Sequence, residues 1–179
     1  MMLKKHEYTP AHLFLDQTPY FITGAIYLKR PLLSLAITKA YLLEVIQSSF
    51  SQYEWELHHW VILDNHYHLL GRSHEGKKLS SIIRRIHIMS GYYLSQQGLG
   101  EKPFWWNYWD YCPRDEADYM IHLNYLLNNP IKHGYVTRLY DYPFSSFHDL
   151  MAKVGREQLV GQFKQYPDYR QLEIARDDF

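Results

Sequence analysis

Apolar residues recur along the chain with two periods, alternating in strands and every three to four residues in helices. Residues 20–28 (YFITGAIYL) are rich in aromatic and β-branched side chains, which favour a pleated surface, and read as a strand closed by Arg30-Pro31. Residues 32 to about 50 carry Leu33, Ala36, Ile37, Ala40, Leu43 and Ile46 at helical spacing. Residues 53–63 (YEWELHHWVIL) read as a strand, Asp64-Asn65 as a hairpin turn and residues 66–71 (HYHLLG) as the return strand. Residues 78–97 predict a second helix with Leu79, Ile82, Ile83, Ile86 and Met89 on one side. A loop over 98–103 leads to an aromatic strand at 104–111 (FWWNYWDY). Asp115 caps a third helix running to about Asn129, where Pro130 would end it. Residues 134–143 are turn-rich, and one or two short helices follow.

This order predicts an α+β fold: a ferredoxin-like βαββαβ antiparallel sheet with flanking helices, plus a further, C-terminal helix. Residues 1–150, including an irregular arm to about Thr18, are expected to form one domain and 151–179 a C-terminal tail.

Composition narrows the function classes. With 19 basic and 19 acidic residues the formal net charge is zero. That argues against non-specific coating of duplex DNA but leaves room for a local basic patch. Aromatic residues make up 17% of the chain, enough either to build a core or to stack on exposed bases. The single cysteine, Cys112, excludes an intrachain disulfide and fits a reducing cytoplasm. Residues 1–10 lack the apolar stretch of a secretory signal, and no apolar run is long enough to cross a membrane.

Two segments carry candidate chemistry. In a strand, His66 and His68 point to one face and Tyr67 to the other, so the two imidazoles can share a metal ion. The alternative is two unrelated polar strand residues. Tyr125 and Asn129 stand four apart on a predicted helix and share a face. The alternative there is an aromatic at the core edge and an Asn closing the helix before Pro130. Together the segments offer two imidazoles, an amide oxygen and a phenol nucleophile. Such a ligand set leaves coordination positions open for a phosphate oxygen and suits Mg²⁺ or Mn²⁺.

The pieces YFITGAIYLKRPLL, DNHYHLL, YWDYC, NYLLNNPIKHGYV and DYPFSS, in this order, resemble the single-tyrosine HUH transposases of the insertion-sequence type. Within them the chain looks most like the REP-associated tyrosine transposases of bacteria, over about residues 20–147. The resemblance implies His66 and His68 as metal ligands, Asn129 as the helix-borne ligand and Tyr125 as nucleophile. It further implies a single-stranded DNA endonuclease and strand transferase acting on hairpin-forming repeats through a covalent 5′-phosphotyrosine. A homodimer and a cytoplasmic, nucleoid-associated location are expected. One departure stands out: where the family has Met-Pro before the Asn-His of its motif, this chain has Leu63-Asp64.

Lys77, Lys78, Arg84 and Arg85, around the start of the second helix, are candidate phosphate contacts, as are Lys132 and His133 after Pro130. Solvated helix faces or capping explain them equally well. Tyr108, Tyr111 and Tyr119 are rival nucleophiles without an Asn or Gln four residues on. Two other functions stay open: a hairpin-binding module without cleavage, and a metal-binding protein or hydrolase unrelated to DNA, suggested by the 11 histidines.

Overall fold

A computed structural model describes His12 and residues 14–174. Most of the predicted N-terminal arm and the last five residues lie outside this range. Four strands, β1 (Pro19–Ile26), β2 (Glu56–Ile62), β3 (His66–Arg72) and β4 (Trp105–Tyr111), form one antiparallel sheet in the order β2-β3-β1-β4. With α1 (Ala36–Gln52) between β1 and β2 and α2 (Leu79–Gln96) between β3 and β4, this is the expected βαββαβ plan. α3 (Glu116–Lys132), α4 (Phe147–Val154) and α5 (Arg156–Gln165) follow. Residue 150, taken above as a division of the chain, lies inside α4.

Strand alternation sorts the sheet residues into two cores. Tyr20, Ile22, Ile62, Tyr67 and Leu69 are buried with α1 and α2 on one face. Phe21, Val61 and Leu70 are buried with α3 and with Leu159 and Tyr169 of the C-terminal segment on the other. The face bearing His66 and His68 is therefore the α3 face.

Three local expectations need correction. The buried stripe of α1 is Thr38, Lys39, Leu42, Val45, Ile46, Ser49 and Phe50, whereas Ile37 is 62% exposed. Apolar residues lie on more than one side of this helix, so periodicity does not fix the buried stripe. α1 also starts four residues late: Leu33, fully packed, precedes it and donates its N–H to Asp64 O at 2.9 Å, anchoring the hairpin turn. Finally, α3 passes through Pro130 and ends at Lys132. Proline forfeits one backbone bond, but in the last turn few bonds depend on it. Beyond it His133 N–H still bonds Asn129 O at 3.0 Å.

Candidate active site

Three elements converge on the α3 face of the sheet. The two-residue turn at Asp64-Asn65 closes with Leu63 N–H on His66 O at 2.8 Å and sets the register of β3. That register pairs His68 with Thr23 and His66 with Ala25 of β1. The two imidazoles stand side by side with ring centroids 5.1 Å apart, and both are buried.

Each ring is held by a neighbour that sequence reasoning did not single out. Thr23 Oγ1 lies 2.8 Å from Nδ1 of His68, and Asn65 Oδ1 lies 2.7 Å from Nδ1 of His66. Asn65 is legible only as a turn residue, and Thr23 only through a strand register that no local pattern reveals.

α3 supplies the other half. Asp115 caps it, accepting the Asp118 N–H at 2.8 Å as predicted. Asn129 Oδ1 is 3.2 Å from Nε2 of His66. The Tyr125 ring stands edge-on to His68, centroids 5.7 Å apart, and to Phe21 at 6.2 Å. Tyr125 and Asn129 are both buried. The turn of helix beyond Pro130 returns Lys132 to the same side, seven residues after Tyr125. Its ammonium donates to the Tyr125 hydroxyl at 2.8 Å and sits 4.8 Å from the ring centroid. The His133 ring is 5.0 Å from that of His66.

His66, His68, Tyr125, Asn129, Lys132 and His133 thus meet in space. Lys77, Lys78, Arg84 and Arg85 do not: they belong to α2 and its approach, across the sheet from α3, and Lys77 pairs with Glu75 at 2.8 Å. The rival tyrosines are engaged elsewhere. Tyr111 donates to Asp118 at 2.7 Å, Tyr119 is 3.0 Å from a ring nitrogen of His58, and Tyr108 is 3.0 Å from Ser80 Oγ. Asp64 turns away from the imidazoles to Lys39 Nζ of α1, 2.5 Å distant. A cavity of about 470 Å³ adjoins the site, lined by Thr23 and Phe21 beside His68, by His122 one turn before Tyr125, and by Leu172 and Ile174.

The surroundings of His66 are chemically informative. Its two ring nitrogens face two amide oxygens, both acceptors. A neutral imidazole has one N–H and can donate to only one of them. With that proton on Nδ1 for Asn65, Nε2 carries a lone pair and, with Asn129 Oδ1, would fit a shared cation. Two donors about 2.1 Å from one ion, at octahedral to tetrahedral angles, stand ~3.0–3.4 Å apart, which brackets the observed separation. No cluster of three or more His, Cys, Asp or Glu able to hold a metal occurs among the described residues. An ion here would depend on the amide of Asn129.

A βαββαβ sheet carrying paired histidines beneath a tyrosine-bearing helix defines a class of protein, and comparison with known sequences agrees. Residues 21–114 match the family described as "Transposase IS200 like", and the chain belongs to that family, in the group of REP-associated tyrosine transposases. It is 34% identical over 101 residues to the REP-associated tyrosine transposase of Escherichia coli K12, covering 55% of this chain and 58% of that protein. A Haemophilus influenzae protein assigned to the same group is 32% identical over 145 residues, covering 69% of this chain and 81% of the relative. A solved REP-associated tyrosine transposase bound to a REP hairpin superposes with a TM-score of 0.67 at 27% identity, covering 80% of this chain and 85% of the other. No helix among the described residues is long and apolar enough to cross a membrane.

Proposed function

We propose that the protein is a metal-dependent endonuclease and strand transferase for single-stranded DNA next to a hairpin, with Tyr125 as nucleophile. The observation that carries this reading is the convergence of Tyr125 with His66, His68 and Asn129 from elements more than fifty residues apart in sequence. The hairpin substrate is inferred from the relative that binds a REP hairpin.

His66, His68 and Asn129 would hold a divalent cation, Mg²⁺ or Mn²⁺, which when bound polarises a phosphate oxygen. Asn65 and Thr23 fix the two imidazoles through Nδ1, so Nε2 of each would be the ligating atom. The Tyr125 oxygen attacks phosphorus, the bond from phosphorus to the 3′-oxygen breaks, and the phenol proton ends on the released 3′-hydroxyl. The product is a 5′-phosphotyrosine, which keeps the phosphodiester's energy for rejoining to another 3′-hydroxyl. The Lys132 ammonium, beside the attacking oxygen, would stabilise charge on it and on the phosphate.

Asp64, the departure from the family motif, is bound to α1 rather than aimed at the imidazoles. It gives no reason to favour a non-cleaving hairpin-binding module, and family membership speaks against a hydrolase unrelated to transposition. The test is incubation with a hairpin oligonucleotide bearing a single-stranded flank and Mn²⁺. A denaturation-resistant protein–DNA adduct is expected from the parent chain and none from Tyr125→Phe. An adduct of equal yield from Tyr125→Phe would refute the assignment.

A further inference from the structure

We propose that a groove on the α2 side of the sheet, across from Tyr125, stacks an unpaired base of the bound DNA and holds its phosphate. The proposal rests on the reading of the protein as a single-strand DNA enzyme and adds a second contact to it. The groove has a volume of about 970 Å³ and lies between α2, the loop after it and the start of β4. That size is in the range of small-molecule cavities.

Its walls are set before any ligand arrives. His87 of α2 stacks on Trp105 of β4 with centroids 4.5 Å apart and planes 2° from parallel. Trp105 Nε1 donates to Ser90 Oγ at 2.9 Å. Arg30 clamps the loop by donating to the carbonyls of Glu101 and Pro103. Trp106 is braced by Tyr27, stacked at 5.0 Å. A braced ring loses little entropy when a base stacks on it.

What the groove offers outward is aromatic and cationic. Tyr92, from α2, is 64% and Trp106, from β4, 38% exposed. Arg84 and Lys102 stand among the lining residues, and among the described residues no carboxylate does. In a chain of zero net charge this is a local excess of positive charge around exposed rings. Aromatic platforms with flanking cations are the chemistry of sequence-tolerant single-strand binding. Lysine, present here as Lys102, is by contrast depleted in the core of protein–protein interfaces. Of the four cations around α2 that fail to join the catalytic residues, Arg84 thus acquires a role as one of the two phosphate contacts.

The test compares a blunt hairpin with the same hairpin carrying a four-nucleotide unpaired extension that includes 2-aminopurine, on the full chain. Tighter binding of the extended hairpin is expected, with quenching of the 2-aminopurine. Trp106→Ala should weaken the extended hairpin at least about fivefold and leave the blunt one unchanged. Tyr92→Ala, on the exposed side of α2, should do the same and serves if Trp106→Ala does not fold. Arg84→Gln and Lys102→Gln should each lower the slope of log affinity against log salt by about 0.7. Unchanged affinity in both aromatic variants, or equal losses for both hairpins, overturns the proposal. So does a dimer that Trp106→Ala splits without affecting DNA, which would make the groove an interface between copies. Adduct formation is read in parallel. A normal adduct without benefit from the extension sinks the groove alone, whereas extension-dependent binding with no adduct sinks the nucleophile assignment alone.

Discussion

Thr23 Oγ1 and His68 Nδ1 lie 2.8 Å apart, inside the sheet and with both residues buried. The contact exists because the β1–β3 register sets these two residues opposite each other. It ties the orientation of a proposed ligand to strand pairing rather than to a loop.

Replacing Thr23 by Val keeps the shape and removes that partner. Outer-shell partners of ligating histidines typically change metal affinity by about 10–100-fold. Mn²⁺ titration of the variant, followed by calorimetry, should show a loss in that range with little change in the unfolding midpoint. Unaltered Mn²⁺ affinity would remove Thr23 from the site.

Asp64→Ala strips the partner from Lys39, whose side chain is only 7% exposed. Leaving a largely buried ammonium unpaired is costly, and with Asp64 itself part-exposed the loss should be about 2–3 kcal/mol. Urea denaturation reads it. The double variant Asp64→Ala with Lys39→Met should recover most of the loss, because the uncompensated charge is then gone.

Acid should weaken the fold already between pH 7 and pH 5, through buried histidines. Burial pushes His87 down to about 3, and burial with the nearby charges of His58 and Lys153 pushes His59 down to about 4. Both stay neutral in the fold while the unfolded chain takes up protons near 6.5. Their contribution is therefore complete above pH 6.5 and is lost as pH falls from there towards 4 and then 3. Each group acting alone would cost about 1.4 kcal/mol per pH unit at most. Thermal unfolding midpoints should drop between pH 7 and pH 5, and less steeply in His87→Gln. Identical slopes in the two proteins would contradict this account.

Gly24 leaves room for a tyrosine. A Cβ there would come within 2.3 Å of the Tyr67 ring, which is fully buried and reaches His87 Nε2 through its hydroxyl at 3.0 Å. Gly24→Ala should destabilise by about 2–3 kcal/mol. Tyr67 sits between His66 and His68, so Mn²⁺ affinity should fall along with stability. Tyr67→Phe in the same background should not restore either, since the clash is with the ring as well as the hydroxyl.

The fold was largely legible from the sequence, because strand and helix periods are local properties. The alternation at His66-Tyr67-His68 put both imidazoles on one face, and the four-residue step from Tyr125 to Asn129 put phenol and amide together. Periodicity failed where it was degenerate, as along α1, and where a rule met a position that weakens it, as at Pro130. Lys132 reaches Tyr125 only because the helix survives that proline.

The sequence by itself determined which side chains share a face of each element, since that follows from the geometry of one strand or one helix. Only the tertiary structure decided which faces meet. Strand register set Thr23 against His68, the tight turn brought Asn65 to His66, and packing of α3 on the sheet brought Asn129 and Tyr125 to the histidines while α2 carried Arg84 to the other side. Apart from that of the neighbours Asn65 and His66, these are contacts between residues far apart in sequence, fixed by how the whole chain buries its apolar surface, and no local pattern encodes them.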